Sequence, residues 1–457
     1  MPGREGQKAE GTRSVRSVRS HAERGNEDRA EVLIVGGGPA GATCAERLRA
    51  GGLDVLVLDK AQFPRPKLCA GWVTPGVFAQ LGLTPQEYAQ GRGGEEMGTG
   101  TSLRSEPVPI SSGRTLQPMT GFRVGWIGTA GLVVSSPQPM SYGIRRSELD
   151  DYLLRRSGAR LCLGEAVRAI RPAEDGWIVN ERLAARMLVA AGGHFCPVAR
   201  LLDRADDRGG PLVVSQEVEF ELDPAQRADC PVRAEVPEIY FCDDLLGYGW
   251  CIRKGNYLNV GLGRATWKQT PSNRGPKGDS PIFATRAPRE AWSRTVPAKT
   301  GTVPPLPEQM ARFCDTLRRQ GRLRAPLPER IAGHAYLLYE QSTRPLVADR
   351  LVWIGDAAGL AYAESGEGIR PAIESGLLAA EAILAARGDY RLERLDSYRR
   401  RVVARFGPRR VEPPAGGPPS WLRRRIARWL LGRRWFVRRV LLDRWFLHAG
   451  QPPLELP

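Results

Sequence analysis

The stretch EVLIVGGGPAG at residues 31–41 constrains this chain more than any other. An apolar run from Val32 to Val35 enters a turn of the form Gly36-x-Gly38-x-x-Gly41, and the following ATCAERLRA has a helical pattern. A second apolar run, Leu53 to Leu58, ends in Asp59. Strand, glycine turn, helix, strand and acid in that order predict a βαβ unit whose turn meets a nucleotide pyrophosphate. Gly36 permits the tight turn, Gly38 lets backbone approach the phosphates, and Gly41 lets helix and strand pack closely. The helix N-terminus turns N–H groups and a partial positive charge toward the same anion. Asp59, 18 residues past Gly41, is placed to accept hydrogen bonds from a ribose. This unit alone does not choose between FAD and a nicotinamide nucleotide.

A second segment, LVWIGDAAGLAYAESGEGIRP at residues 351–371, narrows the choice. An apolar strand ends at Gly355-Asp356, and Gly366, Gly368 and Ile369 precede the helical AIESGLLAAEAILAA. An acid at a strand tip and a glycine-flanked helix start suit a second contact to the same extended cofactor. Asp356 would meet a ribityl hydroxyl or the pyrophosphate side, and backbone at Gly368 and Ile369 would polarise a flavin ring. The plainer reading is a capping turn with Asp356 exposed.

The third feature is GYGWCIRKGNYLNVGLG at residues 247–263. Strand alternation turns Tyr248, Trp250 and Ile252 one way and Gly249, Cys251 and Arg253 the other. By itself the aromatic face suits a sheet–helix core. Beside two nucleotide motifs it suits a pocket wall, with Arg253 turned away from the pocket or receiving an anionic group at its edge.

These motifs occur in a distinctive order. GGGPAG early and WIGDAAGLAYAESGEGIRPA late resemble the flavoprotein group of aromatic hydroxylases and geranylgeranyl reductases. PRPKLCAGWVTPG at residues 64–76 is similar to the reductase branch, where Lys-x-Cys-x-Gly follows the first βαβ unit. Tyr248, Trp250, seven residues from Lys254 to Val260, then Gly261 and Gly263 resemble that branch's Tyr-x-Trp-x-Phe-Pro and Gly-x-Gly. The resemblance covers residues 31–395 and implies FAD as cofactor. It implies FAD contacts at Ala40 and Asp59, a loop beside the flavin at Cys69, Ala70 and Gly71, and a helix start near the cofactor at Arg146. It further implies an adenine-side backbone contact at Val167, and the late contacts at Asp356, Gly368 and Ile369. The sequence departs from the pattern where Ile252-Arg253 replaces Phe-Pro and where Gly193 stands in the hydroxylases' Asp position. The second departure leaves nicotinamide handling open.

The resemblance also implies an α/β (α+β) fold. In it a Rossmann-like FAD-binding domain carries an inserted antiparallel-sheet substrate domain and C-terminal helices. The expected division is a disordered extension at 1–30, FAD-binding segments at 31–75, 143–200 and 340–395, and substrate segments at 76–142 and 201–339. Residues 266–306, polar and proline-rich, read as a loop insertion, and 396–457 as a basic helical tail.

The implied chemistry is hydride transfer from reduced flavin to a C=C bond of a prenyl or other apolar substrate. Tyr248 and Trp250 would form the roof over the substrate. Cys69 would donate a proton or steer the ring, or else be a small buried hydrophobe. His194 is a second candidate proton carrier, against a packing role. The alternative is a flavin monooxygenase or halogenase acting on an aromatic or polyketide, since YGWCIR also resembles the halogenases' Trp-x-Trp-x-Ile-Pro. A third reading is a non-enzymatic flavoprotein that docks through its tail. The electron donor, NADPH or a reduced protein carrier, is not readable.

Charge and cysteines bound the remainder. Fifteen arginines against three acids in residues 397–457 account for twelve of the formal +17, so the basicity belongs to a tail. There, apolar Leu422, Ile426, Trp429, Leu430, Val437, Val440 and Leu441 recur at helical spacing among arginines. Such an Arg/Trp helix reads as an interfacial membrane segment or as a subdomain packed on the fold. No base-reading module accompanies it, which argues against nucleic acid. Eight scattered cysteines without CxxC pairs predict a reducing, cytoplasmic setting. No histidine spacing suggests a metal, and no apolar run reaches the ~18 residues of a membrane span.

Overall fold

The computed structural model describes residues 28–91, 113–202, 211–267, 304–410 and 419–456. The first strand, β1 (Arg29–Val35), runs into the glycine turn, and α1 (Pro39–Ala50) leaves it. β1 begins two residues before the expected boundary because Arg29 and Ala30 already pair with Ala184 and Ala185. Residues 1–27 of the expected extension lie outside the described residues. Pro39 suits the first helical turn, where its missing N–H costs nothing. Ala42, Cys44, Ala45 and Leu48 turn inward and bury completely. β2 (Val55–Asp59) pairs in parallel with β1, Val57 opposite Ile34. α2 (Arg146–Arg156) leads to β3 (Arg160–Leu163) beside β2, and β4 (Leu183–Ala190) pairs with the other edge of β1.

A second sheet follows. Its strands are β5 (Pro211–Glu221), β6 (Glu238–Phe241), β7 (Gly247–Lys254) and β8 (Tyr257–Trp267). After α3 (Leu306–Arg319) comes β9 (Ala332–Leu337), and the sheet order is β9-β5-β8-β7-β6, continued by Gly121–Trp126 and Leu132–Ser135. α3 covers one face. A Cβ on Gly249 would come within 2.5 Å of the Phe313 ring, so the glycine is what lets α3 seat. Cys251, Val260 and Leu262 share that core with Met310, Phe313 and Leu317. Alternation therefore sends Tyr248, Trp250 and Ile252 to the opposite face, toward the nucleotide domain.

β8 continues through Trp267, because Ala265 and Thr266 still pair with Val213 and Leu212. The expected insertion thus begins later than residue 266, α3 opens at Leu306, and residues 268–303 lie outside the described residues.

β10 (Leu351–Trp353) completes the parallel run β10, β4, β1, β2, β3, and Val347–Ala348 adds an antiparallel edge beside β10. α4 (Ile369–Ala386) crosses α1 so closely that a Cβ on Gly376 would sit 2.4 Å from the Ala40 carbonyl oxygen. α5 (Leu392–Phe406) begins before the expected boundary at 396 and buries Leu395, Tyr398 and Val402 in the nucleotide domain's core. α6 (Ser420–Leu431) and a wide π-helical segment, Phe436–Phe446, lie against the far end of the second sheet. Leu431, Phe436, Val437, Leu441 and Leu442 pack there with Phe122, Val124 and Trp126. The expected tail is therefore part of the fold on one side. On the other, Trp421, Ile426 and Trp429 of α6 are 63%, 45% and 55% exposed. No helix among the described residues is long and apolar enough to cross a membrane. All eight cysteines are free.

Candidate active site

A cavity of about 980 Å³ opens between the two sheets. Its floor is the glycine turn. Gly36 has φ +114°, a conformation that side chains rarely adopt, and Gly38 and Ala40 line the cavity beside it. A Cβ on Gly38 would meet only the Arg65 guanidinium, at 3.6 Å, so this residue opens onto free space. Gly41 does not line the cavity: a Cβ there would fall 1.9 Å from the Gly36 carbonyl oxygen, and its task is close packing. Asp59 lines the cavity and also holds the turn, its carboxylate accepting the Gly37 N–H at 2.8 Å and the Ala61 N–H at 2.9 Å. Val167 closes the same end.

The loop after the first βαβ unit brings Lys67, Cys69 and Ala70 to the cavity. Gly71, expected with them, turns away. It has φ +64°, and a Cβ would lie 2.2 Å from the Ile144 carbonyl oxygen. The fully buried Lys254 passes that spot, donating to the Ala70 and Ile144 carbonyl oxygens at 3.1 and 3.0 Å and pairing with Glu219. Asn259 donates to the Cys69 carbonyl at 3.2 Å while its own Oδ1 accepts the Trp250 indole N–H at 2.7 Å. Two roof side chains thus pin the loop. Arg146, at the start of α2, gives two bonds to Asp150, at 2.8 and 3.0 Å. Burial would weaken its charge, but Asp150 and the neighbouring Cys69 thiol outweigh that and hold it more firmly protonated. Lys67 stands two residues from Cys69 in the chain, and the fold adds Arg146 from the start of α2.

Asp356 is only 22% exposed, so it is not the exposed cap of the plainer reading. It belongs to a chain of charges. Lys67 Nζ lies 3.0 Å from His334 Nε2, which lies 3.9 Å from Asp356 Oδ2. Burial, together with the Arg146 and Arg65 charges, lowers the Lys67 ammonium below its ordinary range against the pull of Asp356. Burial likewise lowers His334. Burial would raise Asp356, but His334, Lys67 and Arg146 outweigh it and the carboxyl falls. Gly368, without a side-chain cap, and Ile369 bring the start of α4 to the same wall.

The roof is read in rows across three strands. One row is Trp250, Gly261, Glu217; the next is Tyr248, Gly263, Ser215, with His334 beyond. A Cβ on Gly261 would fall 2.2 Å from the indole, so Trp250 lies flat across β8 because glycine stands there. Tyr248 and Trp250 rings are 6.0 Å apart, and Phe446 reaches from the C-terminal segment to within 5.4 Å of Tyr248 and 5.7 Å of Trp72. All four aromatic residues line the cavity. Arg253 points away, bonding the carbonyls of Gly255 and Arg227. His194 lines the cavity edge-on to Phe195.

Comparisons agree with this geometry. Residues 34–76 match the NAD(P)-binding Rossmann-like domain family. The chain is 29% identical over 377 residues to menaquinone reductase of Mycobacterium tuberculosis, covering 78% of this chain and 77% of that one. It is 25% identical over 387 residues to digeranylgeranylglycerophospholipid reductase 1 of Methanothermobacter thermautotrophicus, covering 81% of each. A geranylgeranyl bacteriochlorophyll reductase-like structure from Thermoplasma acidophilum superimposes with a TM-score of 0.60 at 18% identity, covering 93% of both chains. The flavin-dependent brominase Bmp2 gives 0.56 at 18% identity, covering 82% of this chain and 83% of that one. The two structural likenesses show the fold. The chain is an FAD-dependent oxidoreductase similar in sequence to the menaquinone and digeranylgeranylglycerophospholipid reductases.

The residues of the cavity fit FAD. Gly38 leaves its face of the floor open, α1 begins there, and α4 begins at another wall of the same cavity. The sequence reading missed Glu217, Lys254, Asn259, His334 and Phe446. Four of them carried a signal: Lys254 falls in phase with Trp250, Asn259 with Gly261, Glu217 is flanked by Ser215 and Glu219 at period two, and His334 is one of four histidines. Phe446 had none, because only tertiary packing brings it to the site.

Proposed function

We propose that this reductase adds hydrogen across C=C bonds of a geranylgeranyl-type prenyl chain or another apolar substrate. The observation that carries the reading is the aromatic trough. Trp250's N–H is taken by Asn259 and Tyr248's O–H donates to the Ser365 carbonyl at 2.5 Å, so both rings offer a substrate only apolar faces. Such a wall dries and orients a hydrocarbon while leaving it nothing to hydrogen-bond. Bound FAD, once reduced, supplies the hydride. Gly36, Gly38, Ala40, Asp59 and Val167 hold one end of the cofactor, and Asp356, Gly368 and Ile369 hold the other. Arg146 and Lys67 set the charge around Cys69, and Trp250 and Tyr248 seat the substrate.

The same reading gives α6 a task. Trp421, Ile426 and Trp429, exposed among Arg423, Arg424 and Arg425, seat the enzyme on an anionic lipid surface where a prenyl substrate dissolves. Flotation with phosphatidylglycerol vesicles should carry the wild type and leave a W421E/W429E variant behind; equal flotation would remove this part.

The function is tested anaerobically. The FAD-loaded protein is reduced and mixed with geranylgeranyl diphosphate while the flavin spectrum is followed. Reoxidation without oxygen supports the reductase. Reoxidation only after air is admitted shifts the reading to a monooxygenase or halogenase. Parallel reduction by NADPH and by a reduced ferredoxin identifies the electron donor.

A further inference from the structure

Hydride addition leaves the second alkene carbon needing a proton. We propose that Glu217 is the general acid that delivers it, a role that rests on the reductase reading above.

The argument starts from register. Glu217 and Trp250 sit opposite the two sides of Gly261, in one row across β5, β8 and β7. Because Gly261 has no side chain, indole and acid close over it: its Cβ would lie 2.2 Å from the indole and 2.8 Å from the Glu217 Cβ. The carboxyl therefore stands at the edge of the apolar wall, where a substrate lying on Trp250 would present its double bond. It lines the cavity yet is only 3% exposed. The Cys69 backbone lies beside it and favours its ionised form.

Among the described residues no cation is paired with it. Lys254 of β7 faces it, but that ammonium is engaged by two carbonyls and Glu219. Lys67 and Cys69 face it from the loop below, Glu219 from its own strand, and Tyr336 from β9. Among the described residues none forms a salt bridge with Glu217. A buried carboxyl without an ion-pair partner keeps its proton. Burial, partly countered by Lys254, pushes Glu217 up to about 7. Such a group is about half protonated at neutral pH and wholly protonated below it, which suits a general acid. Tyr248 is a poorer donor, since its hydroxyl proton is held by the Ser365 carbonyl.

The step balances. A hydride arrives at one alkene carbon and the π pair moves to the other. That carbon forms a C–H bond as the Glu217 O–H breaks, leaving a saturated carbon pair and a carboxylate. Water restores the proton before the next turnover.

The test uses the FAD-loaded protein and E217Q, which keeps shape and loses the proton. FAD content should match the wild type, which shows that the fold is intact. In anaerobic single turnover with geranylgeranyl diphosphate, the wild-type rate should be flat below about pH 7 and fall tenfold per pH unit above it. E217Q should be slower by about 10²-fold or more and lose that pH dependence. A second readout needs no turnover. The infrared C=O band of a protonated carboxyl should fade in the wild type between pH 6 and 8 and be absent from E217Q. An E217Q rate within about threefold of wild type overturns the proposal, because a general acid contributes far more than that. So does a missing band, or the same loss and flattened profile in C69S or E367Q with E217Q intact. Glu367 is tested because it is a second cavity carboxyl that burial raises to about 7. A wild type that reduces no alkene sinks the reductase reading, and this role with it; a wild type that turns over beside an unaffected E217Q sinks this role alone.

Discussion

Floor and roof of the cavity are built on opposite plans. The floor is backbone: a glycine turn whose N–H groups and open face are written within six residues, Gly36 to Gly41. The roof is side chains from four strands, with Ser215 and His334 neighbours in space across more than a hundred residues of chain. In the proposed function, the floor would recognise what every dinucleotide shares. The roof, which can vary without disturbing the turn, would set substrate and proton chemistry. What this teaches is that cofactor binding and turnover should come apart under mutation.

The largest expected effect breaks the floor alone. G38V fills the open face of the turn and should yield folded protein without bound flavin, read by visible absorbance. A yellow, fully loaded G38V would remove the turn's assignment. Next comes the roof. W250A deletes a ring that lies on Gly261 and should raise the apparent Kd for the prenyl substrate by roughly 10- to 100-fold, about 1.5–3 kcal/mol of apolar contact. FAD should stay in place; flavin lost from W250A would make the ring a structural support of the floor.

Glu217 sharpens the contrast through stability. Raising a buried carboxyl from its ordinary 4.5 to about 7 weakens the ionised folded state by on the order of 3 kcal/mol. The folded protein binds this proton more tightly than the unfolded chain. The stabilisation is therefore complete below about 4.5 and lost as pH rises through about 7. In urea titrations between pH 5 and 8, the wild type should lose stability relative to E217Q. Parallel curves would mean that the carboxyl is ionised or solvated throughout. The smallest effect is N259A, which leaves the Trp250 N–H without its partner and should cost about 1 kcal/mol. It should show as a modest rise in substrate Kd with FAD content unchanged.

The same contrast explains what could be read from the sequence. The floor was legible because a tight turn needs its glycines adjacent in the chain. Half of the roof was legible because β7 and β8 form one hairpin, so Tyr248, Trp250, Gly261 and Gly263 share a short stretch. Glu217 and His334 reach the same face from distant strands, and nothing local ties an acid in VVSQEVEF to a tryptophan in GYGWC. Gly71 does not line the cavity, and the Lys-x-Cys-x-Gly pattern does not say which residue turns away. Its positive φ and the Ile144 carbonyl decide that. Of the tail's two competing readings, packing on the fold holds for Phe436–Phe446, which lies against the second sheet, while α6 shows one face to solvent.

That packing has a consequence for how the enzyme is made. Arg370, in the first turn of α4, donates to the carbonyls of Gln451 and Pro452 at 2.8 and 3.0 Å, and Phe446 supplies a wall of the cavity. Residues 446–452 thus brace the helix start nearest Gly368 and close one side of the cavity. On the ribosome the glycine turn emerges about 400 residues before that segment, so the chamber lacks a side until the segment has followed. Competence therefore comes after the point at which the first βαβ unit can condense.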